Sequence, residues 1–168
     1  MVQPLRAGEP AADASVGVGR AAELPVLRTA RDAAARDGLP YAGGIVPADA
    51  WQLVRTGQAR LVDVRSTEER KFVGHVPDSV HVAWASGTAL IRNPRFVREL
   101  EAKVGKQDVV LLLCRSGKRS ALAAEAATKA GFTAAFNVLE GFEGELDAEQ
   151  HRGRHDGWRF RGLPWVQD

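Results

Sequence analysis

The sequence predicts an α/β domain built on a mostly parallel sheet of about five strands, with helices on both faces. Three observations carry this expectation. Between Tyr41 and Leu139, short β-rich runs alternate with stretches of helical spacing, the order that βαβ crossovers require. The run "DVVLLLC", ending at Cys114, is apolar without alternation, as a central strand covered on both faces should be. Polar and charged residues collect where the apolar runs stop, at Asp63 and Arg65 and again after Cys114. In parallel sheets the functional crevice opens at those carboxyl ends.

The bulk composition bounds the rest. A chain of 168 residues suffices for one well-buried domain. It is 45% hydrophobic and 26% charged, as in ordinary globular proteins. The 23 basic and 21 acidic side chains nearly cancel, at a net charge of +2, which argues against nucleic acid as a partner. No apolar run approaches the ~18 residues of a membrane span. The first residues lack the apolar stretch of a signal peptide. With a single cysteine no intrachain disulfide can form, which suits a reducing compartment. The expectation is a soluble cytoplasmic protein, a monomer or homodimer, with no membrane partner.

Taken in order, residues 1 to about 22 are Ala-, Gly- and Pro-rich without a period and read as a flexible tail. "LPVLRTARDAAARDG" has helical composition and could form a leading helix ending at Gly38. Residues 1–40 are therefore set apart from a domain over 41–168, in which a segment from about 140 looks extended. "GGIV" is a short strand, and Pro47 then opens the helix "PADAWQLVRTG", closed by Gly57. "ARLVDVR" is a buried strand ending at Asp63, and "SVHVAW" is another short strand. "NPRFVRELEAKVG" places Phe96, Val97, Leu100 and Val104 at helical spacing. After the central strand, an Ala-rich helix is expected from near Ser120 to Gly131, and "TAAFNVL" forms the last strand.

Cys114 is followed at once by Arg115, Ser116, Gly117, Lys118 and Arg119. The thiolate is the nucleophilic form of cysteine. Three cations, the positive end of the following helix and a glycine that lets successive N–H groups curl inward all favour that anion. A lone cysteine is often just a small buried hydrophobe, but that role does not call for the cationic loop.

"CRSGKRS" after an apolar strand resembles the active-site loop of rhodanese-type sulfurtransferases. "LVDVRSTEERKFVGHVPDSVHVAW" resembles the same family's upstream motif of Asp-x-Arg, a Glu, and a Gly-His-x-Pro turn. The resemblance covers about Tyr41 to Leu139. It implies that Cys114 accepts a sulfane sulfur as a persulfide, and that the amides of Arg115 to Arg119 cradle that sulfur. Asp63 and Arg65 would then orient the loop from behind. Either Glu68 or Glu69 would supply the Glu, Glu69 being taken as the site member. Gly74, His75 and Pro77 would form the turn, His75 standing behind the site. The resemblance implies thiosulfate or a persulfide as donor and a thiol, protein or cyanide as acceptor. It implies no metal or organic cofactor. Two departures stand out: Asp78-Ser79 replaces Gly-Ala after the proline, and "EGFEGELDAEQHRGRHDGWRFRGLPW" lacks the usual Gly-Gly pair.

Dual-specificity phosphatases and arsenate-type enzymes use a similar cysteine loop on the same fold. Phosphatases of that type need Cys-x5-Arg, whereas here Arg119 gives Cys-x4-Arg, a tighter cradle suited to one sulfur atom. A non-catalytic binding module and a dedicated persulfide carrier are further alternatives, the first disfavoured by the intact loop.

Other residues are set aside. His151 and His155 have zinc-like i, i+4 spacing, but their glycines argue for a loop. His81 is expected to be a structural hydrogen-bonder. Trp51 and Trp84 are expected in packing, and Trp158 and Trp165 over the pocket or a partner surface. Arg152, Arg154, Arg159 and Arg161 form either a solvated face or a docking patch for an acidic partner.

Overall fold

The computed structural model describes residues 23–168, so the expected tail over 1–22 lies outside the described residues. Twelve elements follow one another: α1 (Pro25–Asp37), β1 (Gly43–Ile45), α2 (Pro47–Arg55), β2 (Arg60–Asp63), α3 (Thr67–Val73), β3 (Val80–His81), β4 (Ala85–Ser86), β5 (Ile91–Arg92), α4 (Phe96–Lys103), β6 (Val110–Leu113), α5 (Lys118–Lys129) and β7 (Ala135–Val138). Five strands form one sheet in the order β1-β7-β6-β2-β3, and every pairing in it is parallel. The expected α/β architecture and the central place of "DVVLLLC" are both realised.

The register explains the unbroken apolar run. Leu111 and Leu113 point to one face, where they meet Leu27 and Ala30 of α1 and Ala50 and Leu53 of α2. Val110, Leu112 and Cys114 point to the other, against Phe96 and Leu100 of α4 and Ala123, Ala124 and Ala127 of α5. With both faces covered, no position on β6 is free to be polar. The alanines of α5 let that helix lie close to the sheet.

Local signals set the helix ends. Pro25 and Pro47 open α1 and α2, where a missing N–H costs nothing. Gly38 closes α1 in the left-handed region at φ 67°. The leading helix is thus present, and its Leu27, Ala30 and Ala34 are buried. Gly43 of β1 has φ +147°, and a Cβ there would stand 2.6 Å from the Ala30 carbonyl oxygen. Glycine is required for α1 to lie down on β1.

Three elements were not anticipated. Helix α3 lies inside a stretch read only as a motif, although Ser66 and Glu69 form a reciprocal capping box at its start. The β4–β5 hairpin lies between β3 and α4 and is too short to show a period. Helix α5 also begins at Lys118, two positions ahead of the expected Ser120, because Gly117 makes the turn from strand to helix.

The parallel order brings the carboxyl ends of β2 and β6 side by side, with Asp63 opposite Leu113. From there the chain leaves β2 toward β3 and leaves β6 toward β7, in opposite directions along the sheet. The two connections part and leave a crevice above that pair of strands. Among the described residues, no helix is long and apolar enough to cross a membrane.

Leu112 is fully buried at the centre of the sheet. Leu112→Ala is expected to lower unfolding free energy by about 2–5 kcal/mol, measured by urea denaturation. A loss under about 1 kcal/mol would contradict the packing described.

Candidate active site

Cys114 follows β6 directly, and only 1% of it is exposed. Its Sγ accepts the Gly117 amide at 3.1 Å and lies 3.1 Å from the Ser120 hydroxyl. Gly117 is the N-cap of α5 at φ 98°, a conformation that costs other residues dearly. Ala121 is the first residue of α5 whose amide closes a helical turn, onto the Gly117 carbonyl. The preceding amides of residues 118–120 are therefore among the orphan donors at the positive end of the helix. The sulfur sits at that end.

The Ser120 hydroxyl has one proton and two acceptors in reach, Cys114 Sγ and, at 2.5 Å, Asn137 Oδ1. The Asn137 amide in turn donates to the Gly117 carbonyl at 3.1 Å. Asn137 belongs to β7, so the neighbouring strand holds both the loop backbone and the hydroxyl. Neither Ser120 nor Asn137 was anticipated as a site residue. Asn137 did carry a signal, as a polar residue in an apolar strand.

The three cations of the loop go to different places. Arg119 turns both terminal nitrogens onto Glu69, at 2.7 and 2.8 Å. Lys118 points outward, its side chain 82% exposed and 4.0 Å from Glu145. Arg115 has no carboxylate partner among the described residues, and its buried Nε has no acceptor. Ser116 is half-buried, and its backbone nitrogen lies against Gly141.

Glu69, not Glu68, faces the loop. Its carboxylate caps α3 through the Ser66 amide at 3.2 Å while it grips Arg119. Burial would raise this carboxyl, but the Arg119 hydrogen bonds and charge, with the Ser66 amide and Arg65, outweigh it and hold the group at about 2. Arg119 is correspondingly raised, first by its hydrogen bond to Glu69 and further by the Glu69, Cys114 and Asp63 charges, against burial.

Behind the loop, Asp63 and Arg65 form a fully buried pair at 3.0 and 2.7 Å. Arg65 also donates to the Gly74 carbonyl at 2.8 Å and stacks over Phe142 at 4.1 Å. Arg70 adds a second cation to Asp63 at 2.9 Å. Burial works to raise the Asp63 carboxyl, and the Arg65 and Arg70 charges and hydrogen bonds overcome it and lower it. His81 Nε2 meets the Arg65 carbonyl at 2.7 Å, a structural bond as expected. His75 instead pairs its main chain with Val166, and among the described residues no hydrogen bond joins its side chain to the cysteine loop.

The segment after β7 is fastened to the loop. Phe142 donates its amide to the Cys114 carbonyl at 2.7 Å, and Glu143 and Gly144 donate theirs to the Arg115 carbonyl at 2.9 and 3.2 Å. Gly141 passes so close that a Cβ would stand 2.4 Å from the Arg115 carbonyl carbon. Trp158 is no pocket cover. It is fully buried, edge-on to Trp51 at 6.2 Å, because its indole N–H finds the Pro164 carbonyl at 2.9 Å. Trp165 is partly exposed and packs on Phe142.

The four arginines considered as a patch are bound within the same segment. Arg152 bonds the Gly144 carbonyl, and Arg154 bonds Glu149. Arg159 pairs with Glu143, and Arg161 with Glu140. His151 lies near Asp147 and Glu149 at the surface, and His155 faces Asp156. The two histidines do not converge, and their segment is a loop, as the glycines implied. Two surface depressions, one lined by Arg31, Tyr41 and Phe132 and one by Gln58 and Asp108, open at the opposite end of the sheet.

Residues 46–146, spanning the Asp-x-Arg segment and the cysteine loop, match the rhodanese-like domain. The chain belongs to the rhodanese-like domain family. Its fold is similar to the crystal structure of Rv0390 from M. tuberculosis, at 50% sequence identity and a TM-score of 0.68, over 76% of this chain and 99% of that one. The senescence-associated protein DIN1 of Raphanus sativus is 31% identical over 107 residues, covering 60% of this chain and 57% of that protein. This rhodanese-like domain thus spans little more than half of that relative. Thiosulfate sulfurtransferase 16, chloroplastic, of Arabidopsis thaliana is 29% identical over 107 residues, 62% of this chain and 78% of that protein. Some relatives of the domain are therefore thiosulfate sulfurtransferases.

Two outcomes follow from this geometry. Gly141→Ala forces Cβ into the Arg115 backbone and is expected to displace the loop, lowering the rate of Cys114 alkylation or loading at least tenfold while the far-UV spectrum stays native. A rate equal to wild type would show that the close approach is not needed. The folded carboxyls of Asp63 and Glu69 lie below their ordinary values. Their stabilisation is therefore complete above the unfolded range of about 4 and drains as pH falls toward the folded values. The urea midpoint should drop between about pH 6 and pH 3, with a smaller drop for Glu69→Gln. Equal midpoints at both pH values would contradict the pairing.

Proposed function

We propose that this domain is a sulfurtransferase that carries a sulfane sulfur as a persulfide on Cys114. The observation that supports it best is the placement of Sγ at the start of α5, where the Gly117 amide and the Ser120 hydroxyl both reach it. In the first step the Cys114 thiolate attacks the outer sulfur of the donor. The new Cys–S bond forms as the donor's S–S bond breaks, and the leaving group departs with the electron pair. Thiosulfate would leave as sulfite and an organic persulfide as its thiolate. In the second step an acceptor nucleophile, a thiol or cyanide, attacks the outer sulfur and Cys114 leaves as thiolate. The orphan amides of α5 meet the negative charge on either sulfur without rearranging. Cys114 is the sole cysteine, so the acceptor thiol comes from another molecule.

Phosphoryl transfer fits the site less well. It would need the loop-end arginine to bind phosphate oxygens, and Arg119 has both terminal nitrogens on Glu69. The Cys-x4-Arg spacing also supplies one amide fewer for a tetrahedral group.

The test is intact-mass analysis after incubation with thiosulfate and, separately, with ethyl persulfide, using Cys114→Ser as control. The expected result is a gain of one sulfur on the wild type alone, lost again on adding cyanide. No added sulfur from either donor, together with hydrolysis of an aryl phosphate, would replace sulfur transfer with phosphatase chemistry.

A further inference from the structure

The loop that follows Cys114 holds three cations in sequence, yet the fold leaves only one of them for a donor. Arg119 is matched in bidentate fashion by Glu69, with both side chains largely buried, and a carboxyl held near 2 stays ionised at any working pH. Lys118 is directed to solvent beside Glu145, where water and salt screen it. Arg115 alone lacks a carboxylate, and its Nε is buried with no acceptor among the described residues. Arg65 and Arg159 each also hold one buried unpaired nitrogen, but both have a carboxylate partner, so Arg115 is the cation of the loop left to meet an anion. Its carbonyl is pinned by the Glu143 and Gly144 amides, so the side chain springs from a fixed backbone. The other carboxylates around the site have their own cations: Asp63 has Arg65 and Arg70, and Glu143 has Arg159.

Thiosulfate carries two negative charges and must approach a thiolate that carries a third. Its leaving group, sulfite, also departs as a dianion. One unpaired guanidinium does not balance that charge, whereas it suffices for an organic persulfide, which brings at most one negative charge and whose leaving thiolate is a monoanion. Resting on the sulfur-transfer function proposed above, we infer that Glu69 sets donor specificity. By neutralising Arg119 it leaves Arg115 as the one donor-binding cation and directs the site toward low-charge organic persulfides over thiosulfate. The balanced step is attack of the Cys114 thiolate on the terminal sulfur of R–S–SH. Cys114–S–SH forms, the donor's S–S bond to that terminal sulfur breaks, and RS⁻ leaves with the electron pair. No oxidant or reductant is consumed. Glu69 acts through Arg119 and is a positioning residue for charge, not a group that touches the reacting atoms.

The test is the ratio of second-order rates at which thiosulfate and ethyl persulfide load Cys114, read by stopped reactions and intact mass. A ratio of two donors on one protein cancels any general loss of active molecules. Glu69→Gln keeps a side chain competent for the capping box but frees the Arg119 charge. It should raise the thiosulfate-to-persulfide ratio about tenfold, the size of one more unit charge met at ~6 Å with an effective dielectric of about 40. Arg119→Gln leaves Glu69 unmatched and should move the ratio the other way. Both shifts should shrink as salt is raised. A wild type that prefers thiosulfate, or a ratio that neither variant moves, overturns the inference while leaving sulfur transfer intact. A wild type that takes sulfur from neither donor overturns the function on which it rests.

Discussion

The buried ion pair between Asp63 and Arg65 is the interaction on which the rest of the site depends. Taking two charges out of water costs several kcal/mol per ion, so such a pair persists only where nearly every polar atom is met. Here Asp63 accepts from the Arg65 amide and guanidinium and from Arg70. Arg65 reaches onward to the Gly74 carbonyl and lies on the ring of Phe142. Four separate pieces of chain therefore meet at one salt bridge: the end of β2, helix α3, the turn at Gly74 and the segment after β7. With either partner removed, an unmatched charge would remain in the interior, a change that typically costs about 3–5 kcal/mol.

On this frame the cysteine loop is held from three sides. The strand β6 delivers Cys114, and α5 presents its free amides. The segment after β7 bonds the Cys114 and Arg115 carbonyls, which would otherwise be unpaired. Gly141 passes so close to the Arg115 backbone that no side chain fits there. Phe142 follows it, donating its amide to the Cys114 carbonyl and serving as the platform for Arg65.

Charge is distributed more sparingly than the composition of the loop suggests. A run of Arg, Lys and Arg beside a thiol reads as a strongly positive pocket, but an ionised carboxylate fifty positions away cancels one member and solvent dilutes another. In the sulfur transfer proposed above, the electrostatic help for a sulfur anion would come chiefly from the helix terminus and its oriented amides, which need no counter-ion.

How much of this was legible in the sequence follows from the range of each interaction. Strand and helix order, the central position of β6, the leading helix and the cysteine loop are local: each rests on periodicity, a capping residue or a contiguous motif, and one chain of residues determines them. The capping box of Ser66 and Glu69 was equally local, so α3 was within reach of the same reasoning. Other features depend on residues far apart in sequence. Which of Glu68 and Glu69 faces Arg119, the hold of Asn137 on Ser120, the Gly141 contact and the burial of Trp158 were decided by the tertiary structure. Trp158 shows why. An indole in a polar, glycine-rich stretch looks exposed until a carbonyl six residues on satisfies its N–H, and then its apolar area favours the core. The sequence by itself determined where the lone thiol sits, at the end of the central strand, and what kind of helix end follows it. Only the packing of β2, α3 and the C-terminal segment decided which charges face that sulfur, because a charge acts through space and its partner can lie anywhere along the chain.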